Sequence, residues 1–194
     1  MIYLDNKKFD KVHKHYDSFM KRFNLYKTEE VIQMLDLTGE EVILDIGGGT
    51  GHLARSLEPH CKRIYVIDES KKMLSKIKPF NSIIPILGDV FDLSVIDEAL
   101  DVVIMTDVFH HIEGQEKLLE IISNKLKKGG KFIMMDFDKN HLKVKLLMLF
   151  ERILFGKLYF KTVDELKDMV SHNFKLIDCM DNKYYIIILG VKYD

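Results

Sequence analysis

The sequence predicts an α/β protein, a mostly parallel sheet with helices on both faces and one antiparallel strand at its end. Three observations predict it. Short aliphatic or β-branched runs recur at Val42–Ile46, Arg63–Ile67, Ile83–Leu87, Leu100–Met105 and Lys131–Phe137. Helical stretches separate them, and that alternation builds parallel sheets covered on both faces. Two closing strand-like runs, Phe174–Met180 and Tyr184–Lys192, are joined only by Asp181, Asn182 and Lys183, a connection that serves antiparallel neighbours.

The elements follow in order. Residues 1–40 hold two helical segments, F-D-K-V-H-K-H-Y-D-S-F-M-K-R-F and T-E-E-V-I-Q-M-L-D-L. Residues 41–137 form the alternating core. Its helical stretches H-L-A-R-S-L-E, S-K-K-M-L-S-K-I and Q-E-K-L-L-E-I-I-S-N-K-L place apolar residues at helical spacing. L-K-K-G-G-K ends the last of them, with basic residues in the final turn and glycine beyond it. Residues 138–172 read as a helical insertion, in which Thr162, Val163, Asp164 and Glu165 carry the capping-box pattern that opens a second short helix. Residues 173–194 form the terminal hairpin. The two helical blocks outside the core are candidates for a cap over the carboxyl ends of the strands, where open α/β sheets bind ligands.

The 194 residues suffice for one well-buried core and are too few for two ordinary domains, so a single domain is expected. A formal net charge of -1 argues against a broad basic field for gripping nucleic acid and leaves room only for a local patch. Two cysteines without C-x-x-C spacing give neither a disulfide framework nor a zinc signature, which suits a reducing cytoplasm. The first residues lack the apolar core of a signal peptide, and no run reaches the roughly twenty apolar residues that span a bilayer.

The stretch V-I-L-D-I-G-G-G-T-G-H, residues 42–52, ends the first strand in a glycine loop. Its glycines permit a tight turn and let backbone N–H groups approach a ligand at a helix N-terminus. The spacing is G-x-G-x-G through Gly47, Gly49 and Gly51, and His52 stands where a dinucleotide fingerprint has its third glycine. Asp45 sharpens the choice: a carboxylate repels a pyrophosphate and attracts an ammonium or sulfonium. The ligand should carry positive charge and no phosphate, and S-adenosylmethionine meets both conditions. Asp68 ends the second strand, placed to accept from both ribose hydroxyls. Asp89 ends the third, placed to accept from an adenine amino group while the Val90 amide donates. Alone, each such aspartate reads as a cap or turn residue, and Met73 as core.

V-I-L-D-I-G-G-G-T-G, Y-V-I-D-E-S, L-G-D-V, D-V-V-I-M-T-D-V-F-H-H-I and L-K-K-G-G-K-F-I-M-M-D together resemble the successive motifs of class I S-adenosylmethionine-dependent methyltransferases. The resemblance covers roughly residues 40–137. It implies a Rossmann-like seven-stranded sheet with an antiparallel last strand. It also assigns Asp45, Gly47, Gly49 and Gly51 to the methionine moiety, Asp68 with Glu69 to the ribose, and Asp89, Val90 and Met73 to the adenine, with Thr106 bordering the transferred methyl. Two rivals remain open: a catalytically silent S-adenosylmethionine-binding regulatory module and a dinucleotide-dependent oxidoreductase.

Asp107 and His111 match a D-x-x-x-H spacing that resembles methyltransferases acting on phosphobase amines, in which a tyrosine from the N-terminal helix reaches the same site; Tyr16 is the nearest match. Histidine suits a general base near neutrality, although His110 and His111 also read as the packed start of a helix. No N-P-P-Y sequence is present, which argues against methylation of nucleobase amino groups. The insertion places apolar residues at 142, 146, 149, 150, 153 and 154, with Val144, Leu147, Met148 and Phe155 widening the stripe. Packing against the N-terminal helices is the expectation. An apolar acceptor pocket, in keeping with a resemblance to quinone-biosynthesis methyltransferases, and contact with a membrane surface are the functional alternatives. The other histidines, His13, His15, His52, His60, His141 and His172, show no metal-ligand spacing, and no metal is expected.

Overall fold

The computed structural model describes residues 17, 18, 20, 26–78 and 82–193. Along the chain run α1 (Thr28–Leu35), β1 (Val42–Ile46), α2 (His52–Leu57), β2 (Arg63–Asp68), α3 (Lys71–Leu74), β3 (Ile83–Leu87) and β4 (Leu100–Thr106). There follow α4 (Gln115–Lys125), β5 (Leu126–Phe137), α5 (Leu142–Phe155), α6 (Val163–Ser171), β6 (Phe174–Asp181) and β7 (Tyr185–Lys192). The strands form one seven-stranded sheet in the order β3-β2-β1-β4-β5-β7-β6. All pairs are parallel except β5 with β7 and β6 with β7, so β7 alone is reversed, as the three-residue connection requires.

Strand alternation divides the core in two. Leu44, Ile46, Val103, Met105, Phe132 and Met134 face α4 and α6, packing with Leu118, Ile122, Leu166 and Val170. Ile43, Val66, Val102, Ile104, Ile133 and Met135 face the other way, onto Val31 and Leu35 of α1, Leu53 and Leu57 of α2 and Val144 of α5. Burial on both faces explains why β1 reads as an uninterrupted apolar run broken only by Asp45.

Two boundaries differ from expectation. β5 starts at Leu126, inside the stretch read as a helix end. Leu100 pairs with Leu126 and Val102 with Lys131, so residues 127–130 bulge out of the ladder. Gly129 has φ +69°, and a Cβ on Gly130 would lie 2.9 Å from the Lys127 carbonyl oxygen, which is why the bulge uses two glycines. α3 is one turn long, capped by Ser70, whose Oγ accepts from the Met73 amide at 3.2 Å. The 138–172 block is two helices separated by extended chain, and α6 opens on the expected capping box between Thr162 and Glu165.

Of the described helices outside the core, α1 and α5 pack on one face of the sheet and α6 on the other, and the approach to α1 and part of α5 reach toward the site. On α5 the buried residue is Val144, with Leu147 and Met148 against the same core, whereas Leu142, Leu146, Leu149, Phe150 and Ile153 are exposed. Packing therefore accounts for the inner flank of the stripe only. Among the described residues no helix is long and apolar enough to cross a membrane.

Candidate active site

Strand order reverses between β1 and β4, β1 leading outward to β2 and β4 to β5. At the carboxyl ends of these strands such a switch point opens a crevice. Two hollows lie there. One is lined by Tyr26, Lys27, Thr28, Asp45, residues 47–50, Thr106, Asp107 and Met135. The other is lined by Asp68, Glu69, Met73, Val90, Val108 and His111. Gly47, Gly49 and Asp107 border both, so they are the two ends of one crevice. Both are open to solvent, as befits a crevice at the strand ends.

The glycine loop is built for closeness. Gly47, Gly49 and Gly51 have φ of +68°, +54° and +71°, a region that favours glycine. Gly48 has an ordinary φ, but a Cβ there would stand 2.4 Å from Asp45 Oδ2 and 2.7 Å from Val66 Cγ1. The loop backbone thus lies directly on the Asp45 carboxyl, which is 1 % exposed and has no hydrogen-bond partner among the described residues. Burial first, and the charge of Asp68 second, push Asp45 up to about 8. An orphaned carboxyl under a bare backbone fits a cationic ligand laid across the loop.

Asp68 ties the two hollows together. Its Oδ2 accepts from the Gly49 amide at 3.0 Å and its Oδ1 from the Ser70 amide at 2.7 Å, which orients the carboxylate across the crevice. Glu69, beside it, is raised to about 7 by burial and by the charges of Asp89 and Asp68. Met73 and Val90 are buried and line the same hollow, while Thr106 ends β4 at the other. Two expected residues do not line the crevice. Asp89 is exposed at the rim and accepts from the Phe91 amide at 2.9 Å. Gly51 stands behind the loop, where a Cβ would meet Ile77 Cγ1 at 2.9 Å, and starts α2.

After β4 the chain turns sharply. Asp107 has φ +56°, a strained conformation for a non-glycine residue, and its amide donates to the Met135 carbonyl at 3.0 Å. A short 3-10 turn, Phe109–His111, follows. Gln115 Nε2 holds it by donating to the Phe109 carbonyl at 2.8 Å, and the Tyr159 amide donates to the His110 carbonyl at 2.7 Å. His110 is fully buried, stacked on Phe160 with centroids 4.0 Å apart. Burial alone would lower its basicity, but Asp136 at 2.7 Å from Nδ1 and Glu151 at 3.3 Å from Nε2 hold it well above the usual range. His111 borders the crevice, and burial together with the His110 charge keeps it well below. The Asp107 carboxyl is raised by burial, against the pull of His110.

Tyr16 lies outside the described residues. Tyr26 lines the crevice from the same N-terminal block, its hydroxyl donating to Asp17 Oδ1 at 2.8 Å, which also accepts from Thr50 Oγ1 at 2.7 Å. Lys27 was not foreseen. Its side chain is buried at 6 % exposure and lines the hollow that holds Asp45. Its ammonium lies 4.9 Å from the Tyr185 ring centroid and makes no hydrogen bond or ion pair among the described residues. No local pattern marks such a lysine, because its partners come from the far end of the chain.

Comparison with known proteins agrees with this geometry. Residues 44–134 match the family model described as a methyltransferase domain. The chain is 26 % identical over 153 residues, 73 % of each chain, to an uncharacterized methyltransferase of Staphylococcus carnosus; against another curated relative the match spans 53 % of that protein's length. A methyltransferase solved in complex with the Haloferax volcanii Trm112 activator superposes with TM-score 0.83 at 13 % identity, covering 100 % of both chains. An S-adenosylmethionine-dependent methyltransferase of Thermotoga maritima gives 0.78 at 18 % identity, covering 96 % of this chain and 99 % of its own.

Proposed function

We propose that this chain, which belongs to the class I S-adenosylmethionine-dependent methyltransferases, transfers the methyl group to a small-molecule acceptor held beside Asp107, in the middle of the crevice. S-adenosylmethionine is its cofactor, and when bound it supplies an electrophilic methyl carbon on a sulfonium. The observation that carries the reading is the meeting of both hollows at Asp107, beside buried His111. A crevice lined by buried side chains and bare loop backbone aligns a small acceptor for in-line displacement, which supplies much of the rate of methyl transfer.

The residues divide the work. Asp45 faces the cationic part of the cofactor, Asp68 and Glu69 the ribose hydroxyls, and Met73 and Val90 flank the adenine. Lys27 is the counterpart of Asp45: a buried ammonium in the same hollow suits the cofactor's carboxylate. His111 acts on the acceptor's proton, since its neutral ring keeps a lone pair with which to take a proton or bind a Lewis acid.

Calorimetric titration with S-adenosylmethionine, S-adenosylhomocysteine and NADH, followed by an acceptor screen of amines, phenols and quinone precursors, tests this. Binding of the first two alone and turnover of one small acceptor is the expected result. Methylation of none of these alongside tight cofactor binding would favour the silent regulatory module. In the same assay, Lys27→Met should weaken S-adenosylmethionine binding by about 1.5–3 kcal/mol, the worth of a charge-assisted bond.

A further inference from the structure

We propose that His110, His111 and Glu151 form a binding site for one divalent transition-metal cation, zinc foremost, at the inner end of the crevice. One ligand atom from each of the three residues lies within 4.8 Å of the other two. His110 commits Nδ1 to Asp136 Oδ1 at 2.7 Å and turns Nε2 to within 3.3 Å of Glu151 Oε2. A carboxylate on the far nitrogen of a ligating imidazole is the support that metal-binding histidines use to fix ring and tautomer. Asp136 is itself fixed, accepting the His110 amide at 2.9 Å and the Phe137 amide at 2.7 Å.

The donor set is that of a borderline cation, two imidazoles and one carboxylate, with a fourth position left for a ligand. Of the three residues His111 lines the crevice, as does Asp107. Asp107 Oδ1 is buried there and has no hydrogen-bond partner among the described residues. Binding displaces the proton held on His110, the cation taking its place between Nε2 and Glu151 Oε2. His110 Nε2 and Glu151 Oε2 already stand at the roughly 3.3 Å that tetrahedral bonds of about 2.0–2.1 Å imply, and all three ligand atoms lie within 4.8 Å of one another, so a small inward shift completes the site. Chain spacing gave no hint of this, because Glu151 comes from α5 and the histidines from the turn after β4.

The role of the cation, though not the site, rests on the methyl-transfer reading above. It would hold the acceptor's heteroatom and ease loss of its proton to solvent. The lone pair so exposed forms the new bond to the methyl carbon, and the pair of the broken carbon–sulfur bond stays on sulfur. His111 then acts on the acceptor's proton through the cation rather than by taking it.

The test uses untagged protein stripped by a chelator and titrated with Zn²⁺ and with Co²⁺, whose visible spectrum reports coordination. Calorimetry with S-adenosylhomocysteine runs on the same samples. One equivalent should bind, with a low-coordinate Co²⁺ spectrum and a rise in thermal unfolding temperature. Glu151→Gln should weaken binding at least tenfold, and Asp136→Asn by about 10–100-fold. Binding of less than one equivalent, or equal binding by wild type and Glu151→Gln, would show a closed ion network that needs no cation and would overturn the site. Should Glu151→Gln fail to fold, the stoichiometry and Co²⁺ spectrum of the wild type decide. Metal binding without S-adenosylhomocysteine binding would leave the site standing and overturn the methyl-transfer role.

Discussion

A carboxyl group buried beneath a glycine backbone, with its pKa pushed up to about 8, would make cofactor capture a proton-linked event on the proposed reading. A cation facing Asp45 needs it ionised, so below that pH binding must expel a proton, and affinity should rise with pH by up to about tenfold per unit before levelling off. Titrations in buffers of different ionisation enthalpy measure the proton released; Asp45→Asn should bind weakly and show no such slope. Asp68→Ala is expected to weaken S-adenosylhomocysteine by about 1–3 kcal/mol, and unchanged affinity would remove Asp68 from the site. His111→Ala should abolish turnover with cofactor binding kept, and full activity would end its assignment. These residues were legible because each stands at a strand end beside a recognisable motif. Lys27, Glu151 and the Asp136–His110 pair were not, since long-range packing alone gives them their partners.

The glycine loop is the element where local sequence and site geometry coincide most closely. Gly47, Gly49 and Gly51 were legible from their spacing, whereas Gly48 matters through what lies under it. Gly48→Ala would drive a methyl group into Asp45 and Val66, so the loop must lift, at a cost of about 1–3 kcal/mol. Chemical denaturation measures that cost. S-adenosylhomocysteine titration should show a further loss of affinity, because the displaced backbone no longer follows the ligand. Elsewhere the element pattern held where periodicity was long, as in α4, and slipped where backbone geometry decided, as in the glycine bulge that lets β5 begin at Leu126. The insertion was legible in part. Periodicity shows that a helix has an apolar stripe, but not which flank meets the core, and on α5 Val144 faces in while Leu142 and Ile153 face out.

For the whole molecule, ionisation sets how stability varies with pH. Groups whose pKa is raised on folding contribute stability that is complete below their unfolded values and is lost as pH rises through their folded ones. Glu69 at about 7 and Asp45 at about 8, with Asp107 and His110 also raised, all act in that direction. Ligand-free protein should therefore unfold at a lower temperature at pH 8.5 than at pH 6, and saturating S-adenosylmethionine should shrink the difference by supplying a partner for ionised Asp45. Scanning calorimetry with and without ligand checks both. The topology was legible as a whole: alternating runs required a parallel sheet, and a three-residue connection required the reversal of β7. The hydrogen bonds of Asp68 to the Gly49 and Ser70 amides give this architecture one more property. On the proposed reading the nucleoside half and the amino-acid half of the ligand would rest on opposite sides of a single latch, so a fragment that settles against one side would stiffen the seat of the other. Adenosine and methionine offered as separate molecules should then bind better together than apart.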